Sequence, residues 1–336
     1  MAIALLVFLA SGAAIFVAGT ALANRADRIA EETRLGRVWI GSILLAGATS
    51  LPELTTDISA VRLGVPDLAA GDLFGSSLAN MMILAVIDLV PPRGRVLRQA
   101  TFDHALSACL AIVLNSLAAV FVLASTTGTF LGVGIESTSL ALIYLAGTRA
   151  VYRHSLRDLG APVPLKQEKA ASADRSPLRR AILGFAAATV VILAAAPAFA
   201  WSAKEIAEIT GLGTTFIGTV LVGFSTSLPE LVASLAAVRI GAFDLAVGNL
   251  FGSNCFNMLV FFAMDLAHPG GNIFSALEPV HAVTAIFSTV LMSLGLAGIV
   301  YRAERRFAMI EPGSVLMLVT YLLGLWLLYT QVSGGN

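Results

Sequence analysis

The chain has 336 residues, of which 57% are hydrophobic and 12% charged, with a mean hydropathy of +0.86 and no net charge at pH 7. Soluble domains carry about a quarter charged residues, so this composition leaves too little polar surface for a fold surrounded by water. The neutral balance also gives no basis for a nucleic-acid partner.

Apolar windows long enough to cross a hydrocarbon core of about 30 Å recur ten times along the chain. They cover 3–22, 38–61, 67–90, 101–124, 128–148, 181–200, 212–238, 244–266, 279–300 and 312–330. The first lacks the basic n-region of a cleaved signal peptide and reads as a retained span. Of 21 Lys and Arg residues, 19 fall in the loops after spans one, three, five, seven and nine; Arg62 and Lys204 are the others. The positive-inside bias puts those loops in the cytoplasm and both termini outside, in the inner or plasma membrane of the cell.

The polar stretch 149–180 is rich in Lys, Arg, Ala, Ser and Pro. It is too short and too poor in apolar residues to fold alone, and reads as a flexible cytoplasmic connector. The expected organisation is a first five-helix unit over 1–148, the linker 149–180, and a second five-helix unit over 181–336. Cys109 and Cys255 lie in apolar runs without metal-ligand spacing. His104, His154, His268 and His281 are scattered singly and read as interfacial residues rather than a metal site.

Residues 47–80, GATSLPELTTDISAVRLGVPDLAAGDLFGSSLAN, align without a gap on 224–257, FSTSLPELVASLAAVRIGAFDLAVGNLFGSNCFN, at a constant offset of 177 with 19 of 34 positions identical. The shared residues include Glu, Pro, Arg, Asp and Asn, which apolar composition alone does not supply, so the halves are duplicates. Five spans separate equivalent points, and an odd number forces the second copy to cross the membrane in the opposite direction. The expected fold is therefore all-α and polytopic, ten transmembrane helices arranged as two inverted five-helix repeats. Secondary transporters build midplane binding sites from that architecture.

Glu53 and Glu230 fall near the middle of apolar spans, where a carboxylate costs about 2.5–3.5 kcal/mol on insertion scales. No Lys or Arg is available at matching depth. Thr49 and Ser50 precede Glu53 by four and three residues on the same helical face, and Thr226 and Ser227 repeat this before Glu230. Pro52 and Pro229 offer no N–H to the carbonyls of Ala48 and Ser225, which predicts broken helices with exposed acceptors. The partner helices carry Ser76 and Asn80, duplicated as Ser253 and Asn257 and flanked by Gly71, Gly75, Gly248 and Gly252, small residues that let helices approach closely. Taken singly, these hydroxyls and amides fit interhelical hydrogen bonding equally well; their symmetric recurrence around a glutamate favours a ligand role. An all-oxygen pocket with two carboxylates suits a hard cation, and two negative charges balance one Ca²⁺ or two monovalent ions.

The pattern Thr-Ser-Leu-Pro-Glu-Leu at 49–54 and 226–231, with Gly-Ser-x-x-x-Asn at 75–80 and 252–257, resembles the two alpha-repeats of the sodium/calcium exchanger family. The resemblance implies that Glu53 and Glu230 ligate Ca²⁺ with help from the Thr49 and Thr226 carbonyls. It implies that Ser50, Ser227, Ser76 and Ser253 complete sodium sites, and that Asn80 and Asn257 take the remaining central position. It further implies that one set of sites serves both ions in turn, while the first and sixth spans slide across a fixed eight-helix core. Calcium and monovalent cations are then the transported substrates, no cofactor is required, and the bilayer is the one evident partner, with no obligate protein partner.

The chain departs from the family pattern where members often carry Asp at one central position: here both Asn80 and Asn257 are neutral. Asp57 stands opposite Ser234, and Asp72 opposite Asn249. Asp72, one turn before Ser76, fits either a carboxylate at the pocket or its entrance or a solvated helix end. Asp57 fits either an ion path or a structural role. Asp67 and Asp244 read as first-turn caps of their own helices, and Asp88 and Asp265 as solvated helix ends. Glu136, alone in the fifth span, has no duplicate.

A proton-coupled exchanger would use the same glutamates as proton carriers, which leaves the counter-ion open between Na⁺ and H⁺. A passive channel fits the inverted midplane carboxylates less well. No HExxH, no GxSxG and no protease-like aspartate pair points to an enzyme.

Overall fold

A computed structural model describes residues 1–89, 96–125, 127–158, 176–210, 225–301 and 312–334. Its long helices are α1 (Ala2–Thr33), α2 (Arg37–Arg62), α3 (Pro66–Leu89), α4 (His104–Ala124), α5 (Ile135–Asp158), α6 (Ser176–Ile209), α7 (Leu228–Arg239), α8 (Phe243–Ala267), α9 (Val280–Tyr301) and α10 (Pro312–Gly334). All but α5 and α7 are long and apolar enough to cross a membrane by length and composition. Helix α7 is the described part of the span expected at 212–238, whose first residues lie outside the described ones, as do 159–175 of the expected linker. Helix α5 starts at Ile135, later than the expected 128, because a two-residue hairpin, Thr129–Phe130 on Val133–Gly134, precedes it. Helices α1 and α6 run past the expected ends of their spans at 22 and 200, carrying Arg25, Asp27 and Arg28, and Lys204, Glu205 and Glu208, respectively.

Burial separates a core from a periphery. Of the most apolar 18 residues, 83% are buried in α8 and 72% in α3, against 28% in α1 and 17% in α10. Helices α3 and α8 are the two that carry the Gly-Ser-x-x-x-Asn copies, so the duplicated polar rows sit in the middle of the bundle. Helices α1 and α6 pack along each other at the edge, with Phe8 stacked on Phe199 at 4.4 Å between ring centres.

The two copies of the helix–turn–helix unit end their first helices in the same way. Gly64 and Gly241, 177 residues apart, take φ of +80° and +81°, a conformation open to glycine without strain. The Val65 amide donates back to Ala60 O at 3.1 Å, and the Ala242 amide to Ala237 O at 2.9 Å. Pro66 then opens α3 at a position where no N–H is needed.

The copies are inverted. Near the start of α2, a Cβ on Gly41 would meet the Asp244 and Leu245 backbone at 2.9–3.2 Å, so α8 begins beside the beginning of α2. Helix α3 begins at the far end of α2, about 39 Å along a 26-residue helix. The duplicate residues Asp67 and Asp244 therefore stand on opposite faces of the molecule.

Each of these acids also ties the halves together. Asp67 Oδ1 accepts from the Glu278 amide at 2.8 Å and lies 3.0 Å from His281 Nε2. Asp244 Oδ1 accepts from the Thr101 amide at 2.8 Å and lies 3.1 Å from His104 Nε2. Instead of capping their own helices, both acids hold the entry of a helix from the other half. His104 and His281 are thus structural partners rather than bland interfacial residues; His104 is fully buried. Asp88 and Asp265 also differ from expectation, being 2% and 1% exposed. Asp88 accepts from the Leu97 amide at 2.9 Å, while Asp265 accepts from the Gly134 and Ile273 amides at 2.7 and 2.9 Å and from Ser137. Glu136 receives Asn272 Nδ2 at 2.6 Å and so fastens the hairpin end of α5 to the loop after α8.

Candidate functional site

Helix α2 carries Thr49, Ser50 and Glu53 into the centre of the bundle against α8. Its opening residues Ile40–Leu45 form a π-helical turn, which widens the backbone and loosens the usual hydrogen-bond pattern. That wide turn is where α8 comes closest: a Cβ on Gly248 would lie 3.0 Å from Ser42 N, and one on Gly252 would overlap the Ser42 backbone outright. The close approach expected of the small residues is therefore met at Gly248 and Gly252. Gly71 faces His281 instead.

The expected break at Pro52 is absent. Helix α2 continues through Pro52 to Arg62, and the Pro52 carbonyl accepts from Thr55 Oγ1 at 2.8 Å and Thr56 Oγ1 at 2.9 Å. One helical bond is lost at Ala48, and the helix stays continuous while packed on α3 and α8. The second copy does break, at Ser227, and α7 restarts with Pro229 in its first turn.

Of the ten residues singled out from sequence, Thr49, Ser50, Glu53, Ser76, Asn80, Ser227, Glu230, Ser253 and Asn257 are buried, and Thr226 is half-buried. Ser50 Oγ lies 3.2 Å from Glu230 Oε1 and 3.1 Å from Ser253 Oγ, so the Glu53 helix reaches directly across to the second glutamate. Thr49 Oγ1 lies 3.1 Å from Ala46 O and 3.3 Å from Asn249 Oδ1. In the other direction, Ser76 Oγ faces Thr226 Oγ1 at 3.5 Å, and Thr226 donates to Asp72 Oδ1 at 3.0 Å.

The central amides behave as a duplicated pair. Asn80 Nδ2 donates to Asn254 Oδ1 at 2.9 Å, and Asn257 Nδ2 lies 3.4 Å from Ser77 Oγ, the duplicate of Asn254. With this orientation, the oxygen of Asn257 faces the acceptors Glu53 Oε2 and Ser253 O. Turning the amide over puts its nitrogen 3.2 Å and 3.1 Å from them. That crowding of acceptors is relieved either by the turned amide or by a cation between the oxygens. Asn254 and Ser77 are site neighbours that sequence reasoning passed over, and Asn249 one it named only as the counterpart of Asp72; the polar row of α3 and α8 extended to them within the same repeat.

Several buried oxygens and hydroxyls here have no hydrogen-bond partner: Glu53 Oε1, Glu230 Oε2, Ser227 Oγ and Asn80 Oδ1, with Asp57 Oδ2 and Asp72 Oδ2 one turn away. Leaving a buried polar group unmatched costs about 1–3 kcal/mol each, more when charged. None of the ion pairs among the described residues involves Glu53 or Glu230. Nor do three His, Cys, Asp or Glu side chains converge as a closed metal site among the described residues. The donor set is two carboxylates with hydroxyls and amides, the oxygen chemistry that hard cations take. A mobile positive charge satisfies it, and no fixed one is paired with it among the described residues.

Comparison with known proteins agrees. The sequence profile of the sodium/calcium exchanger protein family matches residues 3–148 and 180–330. The chain belongs to that family. CaxA of Alkalimonas amylolytica is 27% identical over 302 residues, spanning 87% of this chain and 88% of that one. The inner membrane protein YrbG of Escherichia coli is 29% identical over 246 residues, 69% of this chain and 70% of its own. A solved structure of the sodium-calcium exchanger NCX_Mj superposes with a TM-score of 0.71 at 22% identity, covering 96% of this chain and 98% of that one, which establishes a shared fold. This exchanger-family chain is accordingly a multi-pass membrane antiporter of cations and not an enzyme.

Proposed function

We propose that the exchanger carries Ca²⁺ in one direction against Na⁺ in the other, with Glu53 and Glu230 as the ligands both ions share in turn. The observation that carries this reading is the set of partnerless buried oxygens around two carboxylates that make no ion pair among the described residues. Two negative charges neutralise one Ca²⁺, and the same charges accept monovalent ions once Ca²⁺ has left. In this reading Ser50 with Ser253, 3.1 Å apart, and Ser76 and Ser227 complete monovalent sites, and Thr49, Thr226, Asn80 and Asn257 add oxygens. The sodium/calcium exchanger MaX1 of Methanosarcina acetivorans, 44% identical over 59 residues, supports Na⁺ as the counter-ion.

In this reading the five-helix units 1–148 and 181–336 are joined by the cytoplasmic linker 149–180, both termini face outward, and the protein sits in the cell membrane. The loop distribution of Lys and Arg supports that orientation. Helices α1 and α6, packed on each other at the edge of the bundle, move together across the remaining eight to open the site to either side. Access then alternates because the pocket stays fixed while its cover slides.

Calcium uptake into proteoliposomes under imposed Na⁺, Li⁺, K⁺ or pH gradients tests the assignment. An outward Na⁺ gradient is expected to drive uptake, and Glu53→Gln to abolish it. Uptake driven by a pH gradient alone would replace Na⁺ by H⁺ as counter-ion, while wild-type uptake by Glu53→Gln would remove that residue from the mechanism.

A further inference from the structure

Within the 34 aligned positions, the two copies differ in charge only at Asp57/Ser234 and Asp72/Asn249. In the second copy, Asn249 Nδ2 donates to Ser234 Oγ at 3.0 Å, a neutral pair matched by an ordinary hydrogen bond. The equivalent residues of the first copy are Asp57 and Asp72, two acids on the packed helices α2 and α3. Asp57 is 1% exposed, yet its Oδ2 has no donor, and the buried Oδ2 of Asp72 has none either. No ion pair among the described residues includes either acid. The fold does not need charge at this place, since Ser and Asn fill it in the duplicate.

Position gives the pair a direction. Asp57 lies one helical turn, about 6 Å, beyond Glu53 toward the turn Leu63–Val65, and Asp72 lies one turn beyond Ser76 toward the same turn. Ser234 and Asn249 lie toward the Ile240–Ala242 turn, on the opposite face because the copies are inverted. On the Leu63–Val65 side of the central glutamates there are thus two carboxylates where the equivalent positions on the other side carry Ser234 and Asn249. Thr226 donates to Asp72 and faces Ser76, so this pair is continuous with the central oxygens rather than isolated from them.

We propose that Asp57 and Asp72 form an entry site for a divalent cation on one face only, which captures Ca²⁺ from the Leu63–Val65 side before handing it to Glu53 and Glu230. This rests on the assignment of those glutamates as the transport site. Two carboxylates with a hydroxyl alongside supply hard oxygen donors to a Ca²⁺ that still keeps part of its water shell. Their field raises the local concentration of cations next to the central site. The exchanger becomes electrically polarised between its two faces, although its scaffold is duplicated.

The test replaces both acids with the residues of the duplicate, Asp57→Ser with Asp72→Asn, in the full chain. Calcium dependence of exchange is measured in right-side-out and inside-out membrane vesicles, so that each face is titrated separately. The half-saturating Ca²⁺ concentration is expected to rise at least about tenfold on the Leu63–Val65 face and to stay in place on the other. If the double variant fails to accumulate, Asp72→Asn alone keeps the side-chain volume and is expected to give a smaller shift on the same face. Equal shifts on both faces, no shift, or a change confined to pH dependence would overturn the entry site. Loss of exchange in Glu53→Gln alongside any of those outcomes leaves the central assignment standing; survival of exchange in Glu53→Gln removes that assignment separately.

Discussion

Ser314 donates a hydrogen bond of 2.6 Å to Asp88 Oδ2, and Ser137, 177 residues earlier, donates to Asp265 Oδ2, 177 residues later than Asp88. Each acid closes the end of a core helix, and each serine comes from the start of a helix in the other half. The duplicated units are therefore stitched to each other at matched points on opposite faces. Ser314→Ala is expected to cost about 1–3 kcal/mol, because it leaves a buried carboxylate oxygen without its donor. Ser137→Ala should cost less, since Gly134 N still donates to the same oxygen at 2.7 Å. Thermal unfolding in detergent, compared between the two variants, checks the ranking.

His104 and His281 make a second matched pair of cross-links, with unequal burial. The His104 side chain is 0% exposed and that of its partner Asp244 23%, against 13% for His281 and 41% for Asp67. Water compensates a lost partner more readily at the wetter pair, so His104→Ala is expected to lower the melting temperature further than His281→Ala. A double-mutant cycle of His104→Ala with Asp244→Asn should return a coupling energy of the order of 1 kcal/mol; additivity would show the contact to be idle.

Gly252 admits the wide turn of α2 against α8. Gly252→Ala forces a methyl group into the Ser42 backbone and must push the two helices apart, a cost of about 1–3 kcal/mol or more. Because these helices carry Ser50 and Ser253, exchange should fall more steeply than stability. Matched measurements of calcium uptake and thermal unfolding would reveal that disproportion, and uptake falling only in step with folded fraction would argue against it.

Asn257→Asp places a third negative charge beside Glu53, at the position where the amide reaches Oε2 at 3.2 Å. A cage balanced for Ca²⁺ then has one charge in excess, and an added monovalent cation is the simplest complement. Sodium-driven calcium efflux should become steeper in Na⁺ concentration. An unaltered sodium dependence would show that this side chain does not face the ions.

The repeat and its chemistry were legible because Glu53 and Glu230 contradict their apolar surroundings, and because 34 ungapped positions share one offset. The cross-links were harder to see. Asp88 with Asp265, His104 with His281, and Ser137 with Ser314 keep the offset of 177, but they lie beyond the 34-residue window, where identity thins to half or less. Read alone, an aspartate at a helix end looks solvated and a lone histidine looks interfacial; the partner that buries each belongs to the other half. Pro52 misled for a related reason. Local sequence predicts a broken helix, whereas the missing N–H removes a single bond, to the Ala48 carbonyl, and the helix continues through it to Arg62. The π-helical turn at Ile40–Leu45 leaves no sequence mark beyond Gly41, since it answers to the approach of α8.

Anomalous scattering from crystals of the chain soaked in Sr²⁺, a heavier divalent ion of calcium-like chemistry, tests the central assignment most directly. One strong peak is expected between Glu53 and Glu230, with oxygens of both carboxylates about 2.5 Å from the ion. A peak bound elsewhere, or two glutamates turned away from a common centre with the ion present, would contradict it.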